Sequence, residues 1–192
     1  MQLTTIPGTV MPCNPQMGSE LFAAVSSLCS ATGGLSLSQI VGITGLEAST
    51  IQNWVKRGWV PRPVGKKYTQ RQVARILLIN LLRDCLPLEK IALLLCGVNG
   101  SVEDVSDDII DEGELYNRFC TVLFGLSDLR SSTQEIRREI QRQLADYRGP
   151  KPDSRDCLSR ALEIMVLAYQ ASRMKQLAEH RLELWAKEMA QG

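Results

Sequence analysis

Between Trp54 and Arg75 the chain reads WVKRGWVPRPVGKKYTQRQVAR, with seven basic side chains and no acidic one. They are Lys56, Arg57, Arg62, Lys66, Lys67, Arg71 and Arg75, and Arg83 extends the set within a window free of carboxylates from Glu47 to Asp84. The rest of the chain holds 14 basic against 21 acidic residues, so the net charge is only +1. A cationic patch on an acidic body is the electrostatic pattern of a polyphosphate-binding surface. Guanidinium and ammonium groups attract phosphates without reading sequence, whereas Gln, Asn, Ser and Thr can reach base edges. Trp59 and Tyr68, set among the cations, suit bracing of that surface better than stacking on bases.

Other chemistries find fewer residues. His180 is the single histidine, and with Glu179 and Glu183 nearby it reads as solvated. There is no glycine-rich phosphate loop, no G-x-S-x-G and no cluster with metal-ligand spacing, so neither an enzyme, a cofactor nor a bound metal is expected. The six cysteines, Cys13, Cys29, Cys85, Cys96, Cys120 and Cys157, form no C-x-x-C pair. Four or five lie on apolar helix faces and read as reduced, buried small hydrophobes, with a redox sensor as the alternative. The acidic run EDVSDDIIDEGE, 103–114, lacks the alternating oxygen ligands and central glycine of a calcium loop. It reads as a solvated connector that would hold the second half away from phosphates.

These side chains need elements to position them. Residues 1–18, with three prolines, read as an irregular leader. A helix is expected from an N-cap at Ser19, burying Leu21, Phe22, Val25, Leu28 and Cys29, and stopping at Gly33-Gly34. Ser38 is expected to cap a short helix with Ile40, Val41 and Ile43. Gly45 then turns the chain over Leu46 into a second short helix, about 48–57. That helix is expected to bury Ile51 and Val55, with Trp54 at its margin and Ser49, Thr50, Gln52, Asn53 and Lys56 exposed. Pro61, Pro63 and Gly65 predict a short hairpin, or wing, carrying Arg62, Lys66 and Lys67. Thr69 and Gln72 form a T-x-x-Q capping box that starts a helix burying Val73, Ile76, Leu77 and Leu81. A further helix follows Pro87 and is expected to end at Gly97.

The stretch SLSQIVGITGLEASTIQNWVKRGWVPRP…KKYTQRQVARILLINLLRDCLPLEKIALLL resembles the DNA-binding domain of MerR-type regulators over residues 36–95. Ile40, Thr44-Gly45, Thr50, Ile51, Arg57-Gly58, Tyr68, Val73, Ile76, Leu88, Ile91 and Leu94 carry the likeness. More narrowly, STIQNWVKRGWVPRPVGKKYTQRQVARI is similar to a bacterial family of uncharacterised winged-helix proteins, a domain of unknown function. The resemblance implies a recognition helix followed by a basic wing. Gln52, Asn53 and Trp54 stand where MerR-type helices carry arginine and tyrosines, and metal sensing does not carry over.

From Leu115, the positions Phe119, Val122, Leu126, Leu129, Thr133, Ile136, Ile140 and Leu144 step by three and four. The break at 148–152 leads into a last helix bearing Ile164, Leu167, Ala171, Met174, Ala178, Leu182, Trp185 and Met189. Its centre, IMVLAY, is apolar on more than one face, which calls for a second covering partner.

The expectation is an all-α protein: a winged helix-turn-helix domain with a short wing, followed by a long helical hairpin. The leader spans 1–18, the winged domain 19–97, an acidic connector 98–113, and the hairpin, a dimerisation or effector region, 114–192. The function expected is sequence-specific binding of double-stranded DNA in transcription regulation. Ser49, Thr50, Gln52, Asn53, Lys56, Arg57, Arg62, Lys66, Lys67, Tyr68 and Arg71 are the candidate contacts, in a homodimer joined through 114–192. The alternative is a protein-interaction adaptor on a winged-helix fold that does not bind DNA. No effector ligand is indicated. The first residues lack the charge and apolar run of a secretory signal, and no apolar run approaches the roughly 18 residues that span a bilayer. A cytoplasmic protein without membrane contact is expected.

Overall fold

The computed structural model describes residues 5–13, 21–102, 104–126, 128 and 130–190. Among them are eight helices and one two-stranded sheet, so the chain is mostly helical. Helix α1 (Leu21–Thr32) buries Phe22, Val25 and Cys29 at helical spacing, while Leu28 is exposed. Its expected N-cap, Ser19, lies outside the described residues. Gly34 follows it with φ 104, and a Cβ there would stand 2.8 Å from the Tyr68 carbonyl oxygen. The missing side chain lets strand β1 (Leu35–Ser36) pair antiparallel with β2 (Lys67–Tyr68), Leu35 opposite Tyr68.

Helix α2 (Leu37–Thr44) starts at Ser36 rather than Ser38. Ser36 and Gln39 bond each other's backbone N–H in a capping box, which satisfies two donors where a lone Ser38 cap would satisfy one. Gly45, at φ 69, closes α2 and turns the chain into α3 (Ala48–Lys56). Helix α3 buries Ile51 and Trp54, whereas Val55 is only half-buried. Trp54 is drawn inward because the following chain folds back over it: its carbonyl accepts from the N–H of Trp59 at 2.9 Å.

Helix α4 (Gln70–Leu82) opens on the Thr69–Gln72 capping box and is buried on nearly every side, against α1, α2, α5, α6 and α8. Its run VARILLINLL suits such a central helix. Helix α5 (Leu88–Asn99) runs through Gly97 and ends at Gly100, whose φ of 52 supplies the turn.

The single long arm expected after Leu115 is two helices, α6 (Glu112–Gly125) and α7 (Thr133–Gln143). A Ser132–Glu135 capping box restarts the helix, and the Asp128 carboxylate accepts from the N–H of Arg130 just before it. The three-and-four spacing survives the break because Leu115, Phe119, Val122, Ile136, Ile140 and Leu144 all face the same core. Helix α8 (Ser154–Met189) buries Leu158, Leu162, Met165, Val166 and Tyr169 against that core. From Arg173 to Ala190 every residue is exposed. In its centre Ile164 and Leu167 are exposed as well, so only one side of the IMVLAY segment is covered within the chain.

The core is continuous from Ile6 to Tyr169. Residues 5–13 join it: Tyr116 Oη donates to the Pro7 carbonyl at 2.6 Å and Asn80 Nδ2 to that of Gly8 at 2.9 Å. Among the cysteines, Cys29 and Cys120 are buried, Cys13 and Cys157 half-buried, and Cys85 and Cys96 exposed, so fewer are buried than the four or five expected on apolar helix faces. Cys85 lies in the turn after α4, and Cys96 on an exposed position of α5. Among the described residues no helix is long and apolar enough to cross a membrane.

Candidate nucleic-acid interface

Helix α3 turns Ser49, Gln52, Asn53 and Lys56 to solvent, with Thr50 half-buried, as its burial of Ile51 and Trp54 requires. A groove runs beside this face, lined by Thr50, Asn53, Lys56 and Arg57 and, across from them, by Leu88 and Glu89 at the start of α5. Arg57 is exposed, its guanidinium 5.3 Å from the Trp59 ring centre. The aromatic face holds the cation at the groove's edge.

Beyond Arg57 the chain forms a two-residue hairpin turn. Val64 and Lys67 exchange backbone hydrogen bonds of 3.0 and 3.1 Å. Gly65 and Lys66 between them have φ 58 and 64, the left-handed pair that a tight hairpin of matching twist demands. Lys66 is the one non-glycine residue with positive φ among those described. Arg62, Lys66 and Lys67 are exposed, and Lys67 Nζ donates to the Thr32 carbonyl at the end of α1.

Two residues of α4 hold this loop from beneath. Gln72 Oε1 accepts from Thr69 N–H, while its Nε2 donates to the carbonyls of Pro61 at 3.1 Å and Arg62 at 2.8 Å. Arg75 Nε donates to the Trp59 carbonyl at 2.7 Å. The capping residue of one helix thus shapes the loop before it.

Arg75 is 1% exposed and its charge is met by Glu112 at the start of α6, Nη1 to Oε1 3.2 Å. Arg71 meets the other oxygen of Glu112 at 2.5 Å and Asp108 at 3.1 Å. Burial pulls the Arg75 guanidinium below its ordinary value, with Glu112 opposing. For Arg71 burial is outweighed by the hydrogen bond and charge of Glu112, with Asp108 adding, and its value is raised. Burial, helped by Glu112, Asp107 and Asp111, raises Asp108 to about 6 despite Arg71.

Among the expected contacts, then, Ser49, Gln52, Asn53 and Lys56 share one exposed helix face, and Arg57, Arg62, Lys66 and Lys67 lie exposed along the loop that follows. Tyr68 is 3% exposed and belongs to the core, where burial raises its hydroxyl. Arg71 points to the carboxylates of 108 and 112. Among the described residues no carboxylate pairs with Lys56, Arg57, Arg62, Lys66 or Lys67. Sequence reasoning missed Gln72 and Arg75 as the residues that set the loop. The signal was present: a basic residue inside VARILLINLL needs a buried counter-charge, and the run 103–114 supplies it.

Residues 34–119 match a protein family described as a domain of unknown function (DUF1836). The matched span runs from β1 into α6 and contains both members of the Arg75–Glu112 pair. The chain is also similar to an uncharacterized protein, YkrK, of Bacillus subtilis (strain 168). The two are 31% identical over 122 residues, which are 57% of this chain and 52% of that protein. The chain thus spans about half the length of this curated relative. No solved structure matches.

Proposed function

We propose that this chain is a cytoplasmic, sequence-specific DNA-binding regulator of the winged helix-turn-helix, MerR-like kind, and a binding protein rather than an enzyme. In this reading α2, the Gly45 turn and α3 are the helix-turn-helix, and the Val64–Lys67 hairpin is the wing. Helix α3 enters a major groove, with Gln52 and Asn53 reaching base edges and Ser49, Thr50 and Lys56 meeting the groove wall. Arg57, Arg62, Lys66 and Lys67 grip flanking phosphates. One observation supports the reading: five cations on α3 and the loop after it are exposed and, among the described residues, have no carboxylate partner, beside a polar helix face.

Glu89 favours a second reading, a protein-interaction adaptor, because a carboxylate lining the α3 groove opposes a phosphate backbone. Selection from a pool of random duplexes by the full chain separates the two. The regulator enriches one shared sequence, and Gln52→Ala or Asn53→Ala then costs about 1–3 kcal/mol on that sequence and much less on random DNA. Absence of duplex binding at low salt overturns the regulator in favour of the adaptor.

A further inference from the structure

We infer that the exposed face of α8 pairs antiparallel with the α8 of a second copy of this chain, about a two-fold axis passing between Met174 and Ala178. The stripe comprises Ile164, Leu167, Ala171, Met174, Ala178, Leu182, Trp185 and Met189. At about 100° per residue these eight positions fall within an arc of roughly 80°, on a straight line some 38 Å long. The line lies across the helix from the buried residues Leu158, Leu162, Met165 and Tyr169. It begins on the folded body and continues without interruption along the part of α8 exposed on every side. Leu182 is 60% exposed, Trp185 57% and Met189 57%. An apolar stripe of this length on a helix without neighbours is the mark of an interface.

The occupant follows from the spacing. Read backwards, the stripe nearly reproduces itself. Reversal brings Ile164 to Met189, Leu167 to Trp185, Ala171 to Leu182 and Met174 to Ala178. Each alanine then faces a large side chain, and the layers fill evenly. A parallel pair would stack alanine on alanine at 171 and 178 and tryptophan on tryptophan at 185, leaving voids beside an overfilled layer. The reversal also carries the tip of each helix, with Trp185 and Met189, onto the other copy's body. There a groove between α5 and α8 is lined by Leu93, Leu94, Cys157 and Ile164, with Asp153, Asp156 and Arg160 among its other walls.

Sedimentation of the full chain at micromolar concentration is the test. The wild type should be a dimer. Leu182→Glu with Trp185→Glu should be monomeric at unchanged helicity, since both side chains are exposed in the single chain. With the exposed Cys85 and Cys96 replaced by serine, oxidation should link two chains carrying Ala171→Cys with Leu182→Cys across the dimer, and should not link chains carrying Ala171→Cys alone. A monomeric wild type overturns the inference and leaves the stripe to a different occupant. A dimer that survives the double glutamate variant places the interface elsewhere. Linking through Ala171→Cys alone overturns the antiparallel register. The outcome is separate from DNA contact: a dimer without DNA binding removes the proposed function alone, and a monomer that binds DNA removes this interface alone.

Discussion

Arg75 and Lys66 belong to one acid-free stretch of sequence and end in opposite surroundings. Arg75 is sealed under the loop with Glu112 as its counter-charge, whereas Lys66 stands at the tip of the hairpin in solvent. The α4 cations are held by carboxylates inside the fold, whereas among the described residues the loop cations have no carboxylate partner. A count of charge along the chain does not separate the two. What separates them is the period of the apolar residues around each: Arg75 sits within a helix buried on all sides, and Lys66 within a turn.

The largest test of this contrast is Glu112→Gln. It leaves the buried Arg75 with an uncompensated charge, and the expected loss is about 3–5 kcal/mol of stability by urea unfolding. A loss below about 1 kcal/mol would mean that water already reaches the pair. On the other side, Lys66→Gln with Lys67→Gln should leave stability within about 0.5 kcal/mol of wild type. It should weaken random and preferred DNA alike, and flatten the slope of log affinity against log salt by about one to two units. An unaltered slope would remove these lysines from the interface.

Asp108 sharpens the contrast through pH. Its value is raised to about 6 in the fold from an ordinary 3.8. The folded chain therefore holds this proton more tightly than the unfolded chain does. Its contribution to stability is full below the ordinary value and is lost as pH rises through about 6. Relative to Asp108→Asn, the wild type should lose stability across that window, read as melting temperature against pH. A constant difference between the two proteins would show that Arg71 keeps Asp108 ionised throughout. The smallest effect is expected from Lys66→Gly. It relieves a left-handed backbone at φ 64, and should stabilise by less than about 1 kcal/mol while weakening DNA binding as loss of one cation does.

Much of the scaffold was legible. The Thr69–Gln72 capping box, the Gly45 turn and the helical period of Val73, Ile76 and Leu77 are local signals, and local hydrogen bonding determines them. The Ser36–Gln39 and Ser132–Glu135 boxes are equally local but were passed over, which misplaced the start of α2 and joined α6 to α7. Trp54, Tyr68 and Arg71 were misjudged for a different reason. Tyr68 and Arg71 depend on distant chain, β1 beside Tyr68 and Asp108 and Glu112 against Arg71, which no window of neighbouring residues contains. Trp54 is covered by the return of the chain at Trp59, which lies close in sequence but beyond the end of its helix, where helical spacing says nothing. The exposed row on α8 was legible as an apolar stripe, but which of its residues the chain itself would cover was not.

The bond between Arg75 and Glu112 also has a consequence for how the chain is made. Synthesis delivers α4 well before α6, so while Glu112 is still to be added, the nascent first half has a cation at its centre with no anion to meet it. Gln72 can hold the Pro61 and Arg62 carbonyls without that later segment, whereas the Trp59 carbonyl hangs from Arg75, whose charge Glu112 meets. A protein cut after Gly97 would carry every residue of the α3 surface and lack the carboxylate that meets Arg75. The exposed cations are encoded in the first half of the chain, and the counter-charge of the arginine beneath them in the second.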